Sequence, residues 1–62
     1  MPRKYASDLT SNDVLIINGE DVMIDYLEPH DDRVLIRGYF DSNGDDFTQI
    51  VDADFAFRVS VR

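Results

Sequence analysis

Val14-Leu15-Ile16-Ile17-Asn18-Gly19-Glu20-Asp21-Val22-Met23-Ile24-Asp25-Tyr26-Leu27-Glu28 places a dense apolar run, a two-residue turn signal and an alternating run one after another. Val14–Ile17 is apolar at every position, as a short strand buried on both faces would be. Asn18-Gly19 suits a type I′ turn, which needs φ > 0 at both central residues. The strand that follows, about Glu20 to Glu28, puts Val22, Ile24 and Tyr26 on one face and Asp21, Met23, Asp25 and Leu27 on the other. The segment therefore reads as a β-hairpin and sets the class of the whole chain.

The β pattern continues to the C-terminus. Pro29-His30-Asp31-Asp32 is expected to turn, because proline cannot donate into a ladder and aspartate tolerates turn geometry. A third strand, about Arg33 to Phe40, alternates Val34, Ile36, Gly38 and Phe40, taken as inward, against Arg33, Leu35, Arg37 and Tyr39. Gly38 inside a strand signals a bend or bulge. Asp41-Ser42-Asn43-Gly44 is a further turn, and a fourth strand covers about Asp45 to Val51. Asp52-Ala53-Asp54 is expected to form a short 3₁₀ turn. A fifth strand over Phe55 to Val61 sets Phe55, Phe57, Val59 and Val61 inward. Residues 1–7 are expected to be a flexible polar leader, with no helix beyond a single turn within Ala6 to Asn12.

Five short strands at roughly ten-residue spacing imply an all-β, five-stranded antiparallel small barrel in up-and-down order, occupying residues 8–62 as one domain. In its arrangement the chain resembles the SH3-like small barrels of bacterial and phage proteins. Those carry a leader of the type Leu-x-x-Gly-Asp-Val before the first strand, a long second strand, and a 3₁₀ turn between the last two strands. Here Leu9-Thr10-Ser11-Asn12-Asp13-Val14 fills the leader, with Asn12 in place of glycine, and Val51-Asp52-Ala53-Asp54-Phe55 fills the 3₁₀ position. The resemblance covers about residues 8 to 62 and implies the fold, since such barrels serve many functions.

Composition narrows the function. The chain has 62 residues, no cysteine, and thirteen acidic against six basic residues, for a net charge of −7. Without disulfides or thiolate-bound zinc, a domain of this size depends on apolar burial. The charge repels phosphate backbones and anionic lipid and attracts basic partners. Eight of the acids fall between Asp8 and Asp32, a stretch with no Lys or Arg. With no cysteine, no long apolar run and no signal-peptide core, the expected setting is cytoplasmic, the host-cell cytoplasm if the source is viral.

The residues offer little for catalysis. His30 is the only histidine, and it sits in a turn-forming Pro-His-Asp-Asp. The carboxylate pairs Glu20-Asp21, Asp31-Asp32 and Asp45-Asp46 lie at turns, where water solvates both members, unlike the cleft-held pair of a glycosidase. Asp41-Ser42-Asn43-Gly44-Asp45-Asp46 lacks the glycine and glutamate positions of an EF-hand loop. No enzyme activity, metal or cofactor is expected.

The binding reading is sharper. Asp21, Met23, Asp25, Leu27, Leu35 and Tyr39 fall on the outward side of strands two and three. If those strands pair, they form an apolar patch with a charged rim, the kind of surface that meets a partner protein. Two arrangements remain open. Either the patch is exposed, or the barrel's curvature or the leader residues Tyr5 and Leu9 cover it. The alternative is a nucleic-acid-binding barrel with Arg33, Arg37 and Arg58 as a basic stripe beside Tyr39. The acidic field makes nucleic acid the poorer partner. A structural subunit of a homo-oligomer or virion is the third possibility. The expected function is thus a non-enzymatic acidic module, such as a phage accessory factor or nucleic-acid mimic, that occupies a basic surface on another protein.

Overall fold

The computed structural model describes residues 2–60. They form six strands: β1 (Arg3–Tyr5), β2 (Val14–Ile17), β3 (Glu20–His30), β4 (Arg33–Phe40), β5 (Asp46–Asp52) and β6 (Ala56–Arg58). β2–β5 make a four-stranded antiparallel sheet in chain order, and β1 pairs with β6 in a second sheet. The five strands read from the sequence are β2–β6. The sixth arises where a mobile leader was expected: Arg3, Lys4 and Tyr5 stand opposite Arg58, Phe57 and Ala56.

Among the described residues no closed barrel results. The two sheets meet at one antiparallel bridge, Leu15 to Val59, and at the Ser60 N–H donating to the Val14 carbonyl at 2.9 Å. On the other side the Ala6 and Ser7 N–H groups donate to the carbonyls of Phe55 and Ala53. These bonds tether the β5–β6 connection without pairing β1 to β5. The 3₁₀ turn lies at Ala6–Asp8. At Ala53-Asp54, where one was expected, the chain makes a single tight turn closed by Phe55 N–H on the Asp52 carbonyl at 3.0 Å.

Both hairpins of β3 are set by residues that tolerate positive φ. Asn18 (52°) and Gly19 (81°) give the type I′ geometry. The next turn is shorter than expected: β3 runs through Pro29 and His30, and only Asp31 and Asp32 lie outside the strands, with Asp31 at φ 57°. Pro29 fits because His30 and Arg33 flank the two-residue loop and form the hydrogen-bonded pair. The next pair, Pro29 and Val34, is then the non-bonded kind, so the proline nitrogen faces away from β4. Asn12, in the leader position where glycine is usual, does not need a positive φ.

The core is Ala6, Leu9, Leu15, Val22, Ile24, Val34, Ile36, Phe57 and Val59, with Ile17, Leu27, Phe40, Phe47, Val51 and Ala53 packed around it. Two inward assignments fail. Tyr26 is 45% exposed, because the β3–β4 register shifts between Ile24 and Tyr26. Asp25 is the extra residue of a β-bulge, and beyond it the alternation inverts, so Tyr26 points out and Leu27 points in. Phe55 is half exposed; it precedes β6 and packs edge-on against Phe57 at 4.8 Å between ring centres. Val61, also expected inward, lies outside the described residues.

Gly38 stands opposite Ile24, next to the bulge. A Cβ there would sit 1.9 Å from the Met23 carbonyl oxygen and 2.9 Å from its carbon. Those are backbone atoms and cannot swing aside. Gly44, by contrast, has open space around it and a φ of 75°. Stability for 62 residues is on the order of 3–9 kcal/mol, and overpacking costs about 1–3 kcal/mol. Gly38→Ala should therefore lose a large share of the stability, and clearly more than Gly44→Ala. Urea unfolding of the two variants checks this; equal midpoints would mean that the strands do not approach this closely.

Asp13 fastens β1 to the segment before β2. Its carboxylate accepts from Lys4 Nζ at 3.0 and 3.2 Å and from the Thr10 N–H at 2.9 Å. Burial pushes the Asp13 carboxyl up, but the Thr10 N–H and the Lys4 ammonium together outweigh it and hold the group below its ordinary value. A depressed carboxylate stabilises the fold above the unfolded pKa, and that contribution disappears as pH falls through the folded value. Asp13→Asn should cost about 1 kcal/mol at neutral pH. The gap to wild type should close as the pH falls below the ordinary carboxylate range and through the depressed Asp13 value. A pH series of thermal melts reads this directly, and a gap independent of pH would contradict it.

Candidate functional site

The outer face of β3, β4 and β5 is laid out by the register. Row by row it carries His30, Arg33 and Asp52; then Glu28, Leu35 and Ile50; then Tyr26, Arg37 and Thr48; then Met23, Tyr39 and Asp46. Of the expected patch, Met23, Leu35 and Tyr39 are on this face. Met23 and Leu35 are half-buried, and Tyr39 is 36% exposed. Asp21 is half-buried, next to the β2–β3 turn, and its backbone carbonyl accepts the Asp41 N–H at 2.9 Å. Asp25 is exposed at the bulge. Leu27 is the exception: the bulge turns it to the inner face, where it packs on the core.

The leader does not cover this face. Leu9 belongs to the core, and Tyr5 is itself 55% exposed. Two residues outside the sequence reading belong to the surface. Tyr26 arrives there through the bulge, and its hydroxyl donates to Glu28 Oε2 at 2.8 Å. That carboxylate holds the phenol above its ordinary pKa. Ile50, at 61%, is the most exposed large apolar side chain among the described residues. With Leu35 it floors a shallow hollow of about 450 Å³ rimmed by Glu28, His30, Asp31, Asp32 and Arg33. Alternation along β5 could have placed Ile50 outward, whereas nothing short of the bulge could have placed Tyr26.

The carboxylates gather at the two ends of the four-stranded sheet. Glu20, Asp21 and Asp41 line a hollow at one end, where Ser42 Oγ donates to Glu20 Oε1 at 3.0 Å, with Asp45 and Asp46 alongside. Asp32, Asp52 and Asp54 line another at the opposite end, beside Asp31. Among the described residues, no group of three or more His, Asp or Glu side chains is arranged to hold a metal ion.

The three arginines share no row. Arg33 and Arg37 alternate along β4, whereas Arg58 stands opposite Arg3 in the other sheet. The Arg33 Nε lies 3.8 Å from Asp52 Oδ1. Arg37 borders a hollow with Asp25, Tyr26 and Asp46. Arg33 thus has a carboxylate within ion-pair reach, and Arg37 shares the rim of a hollow with two carboxylates. His30 is 80% exposed, with Nδ1 3.7 Å from Asp31 Oδ2. No helix among the described residues is long and apolar enough to cross a membrane.

No family model matches the chain, and neither a curated protein nor a solved structure matches it.

Proposed function

We propose that this chain is a non-enzymatic acidic protein-binding module: an SH3-like small barrel, left open between β1 and β5, that works in the cytoplasm by occupying a basic surface of a larger protein. A phage accessory factor working in its host's cytoplasm, or a nucleic-acid mimic, fits this description. The observation that carries the reading is the layout of the outer face. Leu35, Ile50, Tyr26 and Tyr39 give an apolar and aromatic centre, and the acidic clusters stand at both ends of the same sheet. An apolar centre with a charged rim is the usual anatomy of an interface. The rim here carries mostly one sign, which steers the approach of a basic partner and screens out acidic ones.

Affinity capture from cells of the source, followed by kinetics with the captured protein, tests this. The association rate should fall about tenfold or more between low and moderately high salt, while dissociation changes less. Asp21→Asn with Asp25→Asn should slow association, and Leu35→Asp should speed dissociation. Arg33→Gln with Arg37→Gln should do neither. Salt-independent binding that survives Leu35→Asp would overturn the proposal, as would binding lost only in the arginine variant.

A further inference from the structure

β5 is an edge strand: it ends the four-stranded sheet, and one of its sides has no neighbouring strand among the described residues. In the β4–β5 hairpin the Phe40 N–H donates to the Asp45 carbonyl at 2.9 Å, so Phe40 faces β5. Backbone groups alternate along an antiparallel ladder, so Gly38, Ile36 and Val34 also face β5 and meet Phe47, Gln49 and Val51. The N–H and C=O groups of Asp46, Thr48 and Ile50 then point the other way, as does the Asp52 N–H, while the Asp52 carbonyl is taken by the Phe55 N–H. No strand pairs with that side among the described residues.

The side chains along this edge are as specific as its backbone. Ile50 extends the apolar row from Leu35 to the sheet's border. Phe47 and Val51, half-buried, leave part of their surface uncovered on the inner side. Asp46 and Asp52 close the two ends. A second copy is a poor occupant. A two-fold pairing centred on Gln49 sets Asp46 against Asp52 of the other copy twice, and each chain carries a net charge of −7. The same carboxylates favour a cationic strand.

We infer that β5 receives an extended basic peptide from the partner as an added antiparallel strand, with Lys or Arg opposite Asp46 and Asp52 and an apolar residue opposite Ile50. This rests on the reading of the chain as an acidic binding module and names the segment that module captures. Main-chain bonds to Thr48 and Ile50 supply the docking, and the alternating side chains supply the choice of sequence.

The probe is the capped peptide Lys-Val-Ile-Thr-Thr-Val-Lys, whose residues would lie opposite Asp52 through Asp46 in that order. Its third and fifth N–H groups face β5 and its fourth faces solvent. N-methylation of the third and fifth residues should weaken binding to the intact protein by about tenfold or more, and methylation of the fourth should change it by less than about twofold. Thr48→Pro removes an outward N–H, which an edge strand tolerates. That variant should melt close to wild type and bind as weakly as wild type binds the doubly methylated peptide. Asp46→Asn with Asp52→Asn should weaken binding and flatten its salt dependence.

Indifference to the position of the methyl groups, or no binding at millimolar peptide, overturns the added strand. If affinity still falls in the Asp46 and Asp52 variants while methyl position has no effect, the acidic-module reading survives without it. If the carboxylates too are without effect, and the captured partner binds independently of salt, both fail. A concentration-dependent mass that Thr48→Pro abolishes would give the edge to a second copy and also overturn the inference.

Discussion

The contact between Gly38 and the backbone of Met23 and Ile24 governs the shape of this molecule. Two strands approach closer than any side chain permits, and Asp25 is extruded beside them as a bulge. Bulges sharpen the twist of the strand that carries them. β3, eleven residues long, thereby serves two surroundings: its first half pairs with both β2 and β4, and its second half pairs with β4 alone. The same irregularity exchanges the two faces, sending Leu27 to the core and Tyr26 to the surface. The proposed binding face and the hydrophobic core are thus two consequences of one backbone feature.

The fold leaves an edge open and charges its ends. Edge strands invite uncontrolled pairing, and charged residues are a common guard against it. Here Asp46 and Asp52 bracket a centre of Thr48, Gln49 and Ile50 that carries no charge. For an acidic protein such a guard favours the proposed cationic strand over a second copy, because like charges repel across paired strands. In the proposed binding module the carboxylates at the sheet ends act at long range and the Leu35–Ile50 hollow at short range. Under that proposal charge sets the rate of encounter and apolar contact sets its lifetime.

Much of this was legible in the sequence because turn chemistry is local. Asn18-Gly19 fixed the first hairpin, and alternation placed Val22, Ile24, Val34, Ile36, Phe57 and Val59 in the core. Gly38 announced an irregularity but not on which strand it would fall; the bulge lies on the partner strand, and that displaced Tyr26 and Leu27. β1 was missed because three residues with no apolar alternation become a strand only when β6 offers them a partner. Closure of the barrel was over-read from strand count. Whether the first and last strands of a sheet meet depends on curvature and on the single Leu15–Val59 bridge, and neither has a local signature. Of the site, Met23, Leu35 and Tyr39 followed from period-two alternation, whereas Ile50 acquires meaning only as a neighbour of Leu35 across β4 and β5.

The openness of β5 is the claim on which the binding account stands, and amide hydrogen exchange of the dilute protein tests it residue by residue. Phe47, Gln49 and Val51 donate into the β4 ladder and should exchange slowly. Thr48 and Ile50, two and four residues into the same strand, should exchange at rates close to those of an unstructured peptide. Uniform protection along β5 would show its outer edge already paired and would contradict the account.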